Sequence, residues 1–163
     1  RCIDLDMTHY VDPQGILPLR EAIAEQVGRT RGIPVSPDRV VVFPGGKPPI
    51  GLSQQTYCNP GDDVIYPSPG FPIYESFATY LGLNPVPLQL REAAGFSFTG
   101  ADIAPLITSR TRLIVLNFPS NPTGGVATRP ATVRVETIRA VAAIRARSDG
   151  GLTATGSRLR GRW

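Results

Sequence analysis

Residues 112–125 read Arg112-Leu113-Ile114-Val115-Leu116-Asn117-Phe118-Pro119-Ser120-Asn121-Pro122-Thr123-Gly124-Gly125. Four consecutive apolar residues, Leu113 to Leu116, predict a strand buried on both faces. Two prolines and two glycines then stop it abruptly and leave Asn121 on a stiff turn at the strand's carboxyl end. Ligands bind at that edge in open α/β sheets. An Asn held there keeps an amide donor and a carbonyl acceptor aimed in a fixed direction.

The rest of the chain supports a globular reading. Its 163 residues are 41% hydrophobic and 18% charged, enough apolar surface to build a core. No apolar stretch is long enough to span a bilayer, and the opening residues carry no secretory-signal pattern. Cys2 and Cys58 lack metal-ligand spacing, so a reduced, cytoplasmic setting is expected. His9 is the sole histidine, which argues against a histidine-rich metal site or a Ser-His-Asp triad.

The net charge of +4 is unevenly distributed. Residues 1–126 carry nine basic and eleven acidic side chains, whereas 127–163 carry eight arginines against Glu136 and Asp149. A basic tail can contact nucleic acid, but this one has no interleaved aromatics, so nucleic acid is not expected as a partner. Sixteen arginines accompany one lysine, Lys47.

Short strands alternate with helices along the chain. Pro18 suits a helix start, and Leu19, Ile23 and Val27 predict an amphipathic helix over 17–28. Arg39–Phe43 reads as a buried strand ending at Pro44-Gly45-Gly46-Lys47, followed by a helix from Pro48 to Cys58. A turn at Asn59–Asp62 precedes a strand over 63–67, and a helix covers 72–81. Val86–Leu90 reads as an edge strand, because Pro87 cannot donate to a ladder. A short helix over 102–107 leads to the strand at 112–116. Val135, Ile138, Val141 and Ala142 predict one more helix, to Arg147. From Gly150 onward periodicity is lost and no regular structure is expected. The alternation predicts an α/β fold, a three-layer α/β/α arrangement around a mostly parallel sheet.

Three strand ends offer different chemical tools. The glycines of Gly45-Gly46-Lys47 let backbone approach a ligand, and the amides of a helix start favour an anion such as phosphate. Phe71, and Tyr74 beside it, follow the Tyr66–Gly70 turn, where a ring can stack on a flat cofactor. Asn121 supplies a polar amide. Tyr10 precedes the Asp12–Gly15 turn, where its hydroxyl can reach a partner. Together these describe a pocket for a flat, phosphorylated cofactor.

The motifs in order resemble the class I/II aminotransferases, fold-type-I pyridoxal-phosphate enzymes that include aspartate aminotransferase. The matching segments are His9–Gly15 with Leu19–Ala24, Gly45–Pro48, Asn59–Asp62, Tyr66–Tyr74 and Asn117–Gly125. The resemblance implies that Gly45, Gly46 and Lys47 hold the phosphate of pyridoxal 5'-phosphate and that Phe71 stacks on its ring. It implies that Asn121 bonds the ring's phenolic oxygen, and that Tyr10 crosses a homodimer interface to the neighbouring cofactor. The implied reaction moves an amino group between an amino acid and a 2-oxo acid. A β-lyase or a cyclising synthase of the same fold is the alternative enzyme, since cofactor-binding motifs do not choose the reaction.

The chain also departs from the family pattern. It has no lysine after Lys47, so the Schiff-base lysine is absent and no catalytic residue is assigned. The Asp-Glu-x-Tyr strand end and the carboxylate-binding arginine are missing, and Asp149 stays unassigned. The expectation is therefore a partial cofactor-binding large domain over 1–148 and an irregular basic tail over 149–163, read from a shifted frame or disordered. Such a fragment is expected to be inactive alone; a non-catalytic truncated product is the remaining alternative.

Overall fold

The computed structural model describes residues 3, 4 and 8–126 and the backbone of 140–146 and 152–157. The chain divides into two compact units, 1–45 and 46–163.

In the first unit, helix α1 runs Leu17–Arg31 and ends at Gly32, whose φ of +67° lets its amide return to the Gly28 carbonyl. The stripe it buries differs from the expected one. Arg20 and Ala24 are buried, whereas Leu19 is exposed. Arg20 sinks because its guanidinium has several acceptors: the Gly15 carbonyl at 3.0 Å, Gln14 Oε1 at 2.8 Å and the Pro37 carbonyl at 3.3 Å. Asp12 and Asp38 add charge at 3.5 and 3.9 Å. A buried charge so surrounded is compensated. The strand expected at Arg39–Phe43 does not form. Val42 donates to the Gln14 carbonyl at 2.8 Å, and no ladder partner lies beside this segment among the described residues.

The second unit is built on a five-stranded sheet of order β2-β1-β3-β4-β5. Its elements are α2 (Lys47–Tyr57), β1 (Asp63–Ser68), α3 (Ile73–Tyr80), β2 (Asn84–Gln89), α4 (Gly100–Ile103), β3 (Thr111–Phe118), β4 (Ala140–Ala146) and β5 (Leu152–Ser157). All pairings are parallel except β4 with β5. β2 is the edge strand that Pro87 implied. Alternate residues of β1 and β3 face opposite layers. Val64, Tyr66, Leu113 and Val115 pack with Ile50 of α2 and Tyr74 and Ala78 of α3. Ile65 and Ile114 pack on the other face with Leu88, Leu90, Phe98 and Ile103. Helices thus cover both faces of a mostly parallel sheet, and the expected α/β fold is present.

Two sequence expectations fail at the carboxyl end. The helix to Arg147 is instead strand β4, paired with β3 from Leu113↔Ala140 to Phe118↔Arg145. β3 would otherwise expose a row of unpaired backbone groups, and pairing outweighs a weak helical period. The stretch after Gly150 contains β5 rather than irregular chain, hydrogen-bonded to β4 from Val141↔Ser157 to Ala146↔Leu152. The remainder of the helix expectation, Asp149 and the last residues of the tail lie outside the described residues.

Candidate functional site

The order β2-β1-β3 contains a switch point. From β1 the chain crosses through α3 to β2 on one side, then through α4 back past β1 to β3 on the other. A crevice opens at the carboxyl ends of β1 and β3, where the two connections diverge. Phe71 follows β1 by three residues, and Asn121 follows β3 by three. These two predicted residues therefore occupy the loops that follow β1 and β3.

The β3 loop closes on itself. Ser120 N–H donates to the Gly125 carbonyl and Gly124 N–H to the Ser120 carbonyl, both at 2.7 Å. Gly124 adopts φ +73°, which a side chain would strain. The Asn121 side chain is exposed and makes no hydrogen bond among the described residues. Just inside the strand end, Asn117 is 6% exposed and its Oδ1 has no partner; Ser120 Oγ is also buried and unpartnered.

The β1 loop carries a half-buried Phe71. Its ring meets Tyr74 edge-on, with centroids 6.1 Å apart and planes at 78°. The Lys47 Nζ lies 5.9 Å from the Phe71 centroid, so the start of α2 and the β1 loop share one neighbourhood. At that helix start Pro48 and Pro49 have no N–H to offer. The donors left are the amides of Gly46 and Lys47, which have no backbone acceptor among the described residues.

Gly45 and Tyr10 belong to the first unit. Gly45 takes φ +96°, and Tyr10 is fully exposed on an open pocket of about 530 Å³ lined by His9, Asp12, Pro13, Val42 and Phe43 among others. No cluster of metal-ligating side chains occurs among the described residues. Cys58 is a free thiol whose pKa burial pushes up to about 12, helped by the Asp62 charge and opposed by Arg112, so it is no nucleophile at neutral pH.

These groups suit a flat anionic ligand. Two amides without a backbone acceptor and an ammonium stand near the Phe71 ring, and an exposed carboxamide stands past the end of the next strand. The sequence model of the family described as aminotransferase class I and II matches residues 5–144. The chain belongs to that family.

Among curated proteins this chain is 39% identical over 117 residues to the arginine–pyruvate transaminase of Pseudomonas aeruginosa, covering 72% of the chain and 30% of the relative. It is 36% identical over 129 residues to the aspartate/prephenate aminotransferase of Cereibacter sphaeroides, covering 79% and 32%. It thus spans about a third of the length of the curated relatives it matches. Solved structures agree. An aspartate aminotransferase of Thermus thermophilus superposes with a TM-score of 0.74 at 34% identity, covering 78% of this chain and 34% of that one. An aromatic aminotransferase of Pyrococcus horikoshii gives 0.74 at 30%, covering 80% and 35%.

Two contributors to the site were not singled out in the sequence. Asn117 reads as the end of an apolar run, and its only signal is a carboxamide where a strand should stay apolar. Gln54 is fully buried in α2 and donates to the Tyr74 carbonyl at 3.2 Å; an isolated helical glutamine gives no such signal.

Proposed function

We propose that this chain is the cofactor-holding part of a pyridoxal-phosphate-dependent aminotransferase. The observation that carries the reading is the placement of Phe71 and Asn121 on the two loops of one switch-point crevice. The Gly46 and Lys47 amides would hold the phosphate, with Gly45 shaping the loop before them. Phe71 would stack on the ring and Asn121 would donate to its phenolic oxygen. When bound, the group supplies an electron sink for amino-group transfer between an amino acid and a 2-oxo acid.

The chain's own residues then do four things. The backbone amides fix the ligand's anionic end without moving a proton. The Phe71 ring sets the plane of the bound ring and excludes water from one face. The Asn121 carboxamide holds the phenolic oxygen in its ionised form by donating to it. The Lys47 ammonium balances phosphate charge. Its place at the start of α2 argues against its acting as the covalent anchor.

The family setting extends the proposal to a cytoplasmic homodimer in which Tyr10 reaches the neighbouring subunit's phosphate. No helix among the described residues is long and apolar enough to cross a membrane. We further propose that residues 1–148 form part of the cofactor domain and that 149–163 are a separate basic segment.

Borohydride treatment in the presence of pyridoxal phosphate, followed by peptide mapping, tests the division of labour. The expected result is reversible binding, no stoichiometric adduct on Lys47 and no amino transfer to 2-oxoglutarate. Stoichiometric labelling of Lys47 together with measurable transfer would overturn it.

A further inference from the structure

Tyr74 touches each of the elements that border the crevice in the second unit. It is 1% exposed, one of the largest fully buried side chains described. Its ring edge packs against the Phe71 ring at 6.1 Å, and its amide donates to the Phe71 carbonyl at 3.1 Å. Its own carbonyl accepts from Gln54 Nε2 of α2, the helix that starts at Lys47. Its ring packs with Leu113 and Val115 of β3, and its hydroxyl faces the Asn117 side chain at the end of that strand, four residues before Asn121, which opposes the rise that burial gives the phenol's pKa. Gly70 leaves no slack beside it: a Cβ there would lie 2.0 Å from the Pro67 carbonyl oxygen and 3.5 Å from the Tyr74 ring. One side chain therefore joins helix α2, the β1 loop and the β3 end.

We propose that Tyr74 is a positioning residue that holds the plane of the Phe71 ring in register with the Gly46 and Lys47 amides and with the β3 turn. The inference rests on the reading of Phe71 as the ring that stacks on the cofactor. A ligand that needs only the amides is indifferent to this coupling. A ligand that needs amides, ring and carboxamide together depends on it, because misplaced groups forfeit preorganisation.

The full 163-residue chain is titrated with pyridoxal phosphate and, separately, with inorganic phosphate, as found and as Tyr74→Phe. Loss of the hydroxyl that faces Asn117 predicts about a five-fold weaker pyridoxal phosphate affinity, with phosphate affinity unchanged. Equal pyridoxal phosphate affinities would overturn the proposal, and so would a parallel fall for both ligands, the mark of a general structural loss. Asn117→Leu removes the carboxamide that the hydroxyl faces and is expected to give the same split. Spectra of the chain carrying ¹³C-labelled phenylalanine, recorded without ligand, decide the matter independently. Tyr74→Phe should shift the Phe71 ring signals and leave those of Phe98 and Phe118, on the opposite face of the sheet, in place. An unmoved Phe71 signal sinks the role of Tyr74. Failure of the unsubstituted chain to bind pyridoxal phosphate would count against the proposed function instead.

Discussion

Replacing Thr108 by Val should destabilise the chain at neutral pH and scarcely at all in acid. The target of the substitution is Asp63, 1% exposed at the amino end of β1. Its carboxylate accepts from Thr108 Oγ1 at 2.6 Å, Asn84 Nδ2 at 2.7 Å and Arg110 Nε at 3.4 Å. Asn84 opens β2, and Thr108 and Arg110 immediately precede β3, so one buried charge ties three strands together. Burial pushes the Asp63 pKa up, but the bonds from Thr108 and Asn84 and the Arg110 charge outweigh it and hold the group below 3.8. Valine keeps the volume of threonine and removes one donor to a charged acceptor, a loss of about 1.5–3 kcal/mol. The Arg110 amide, which donates to Thr108 Oγ1 at 3.0 Å, is exposed and finds water instead.

The sign of the pH dependence follows from the lowered pKa. Asp63 contributes stability that is fully present above its unfolded pKa and is lost as pH falls through the folded value. The Thr108→Val chain starts with a smaller depression, so the gap between the two proteins is widest above about pH 5 and closes in strong acid. Urea denaturation followed by circular dichroism at neutral, mildly acidic and strongly acidic pH measures it. A gap of constant size at every pH would refute the reasoning, because the Thr108 hydroxyl would then not be acting on a charge.

Arg20→Lys should cost about 1.5–3 kcal/mol in urea denaturation, since an ammonium cannot reach the Gly15, Gln14 and Pro37 oxygens in the fork that the guanidinium uses; an unchanged midpoint would contradict that. Gly70→Ala should lower the thermal midpoint and weaken pyridoxal phosphate binding together, because its Cβ would sit 2.0 Å from the Pro67 carbonyl oxygen, just before Phe71. In a Cys2→Ser background at pH 8, Cys58 should react with a disulfide reagent more than about ten-fold slower in the native chain than in urea, as a thiol pushed to about 12 requires; equal rates would show it to be exposed.

The central strand and its turn were legible because their signals are local. Leu113–Leu116 is continuously apolar, and Pro119, Pro122 and Gly124 can only end it. The position of Phe71 and Asn121 just past strand ends was legible for the same reason. Pairing decided what the sequence hid. Ala140–Ala146 is short, alanine-rich and compatible with either period, and it becomes a strand because β3 offers an edge. Leu152–Ser157 has no period of its own and is held by β4. Conversely Val40–Phe43 has strong β-formers but no ladder partner among the described residues, so propensity alone did not make a strand. The burial of Arg20 has no local signal, because arginine is seldom buried and only the converging carbonyls of other segments make it so. Tyr74 was read only as a ring beside Phe71; its contacts with Phe71, Gln54 and β3 need three dimensions.

Titration of the chain with pyridoxal phosphate, monitored by the ligand's own absorbance and repeated with Asn121→Ala, tests the account most directly. Reversible binding at one site, displaced by inorganic phosphate and weakened about five- to ten-fold by the substitution, is the predicted result. Binding that Asn121→Ala leaves untouched, or that inorganic phosphate cannot displace, would contradict it.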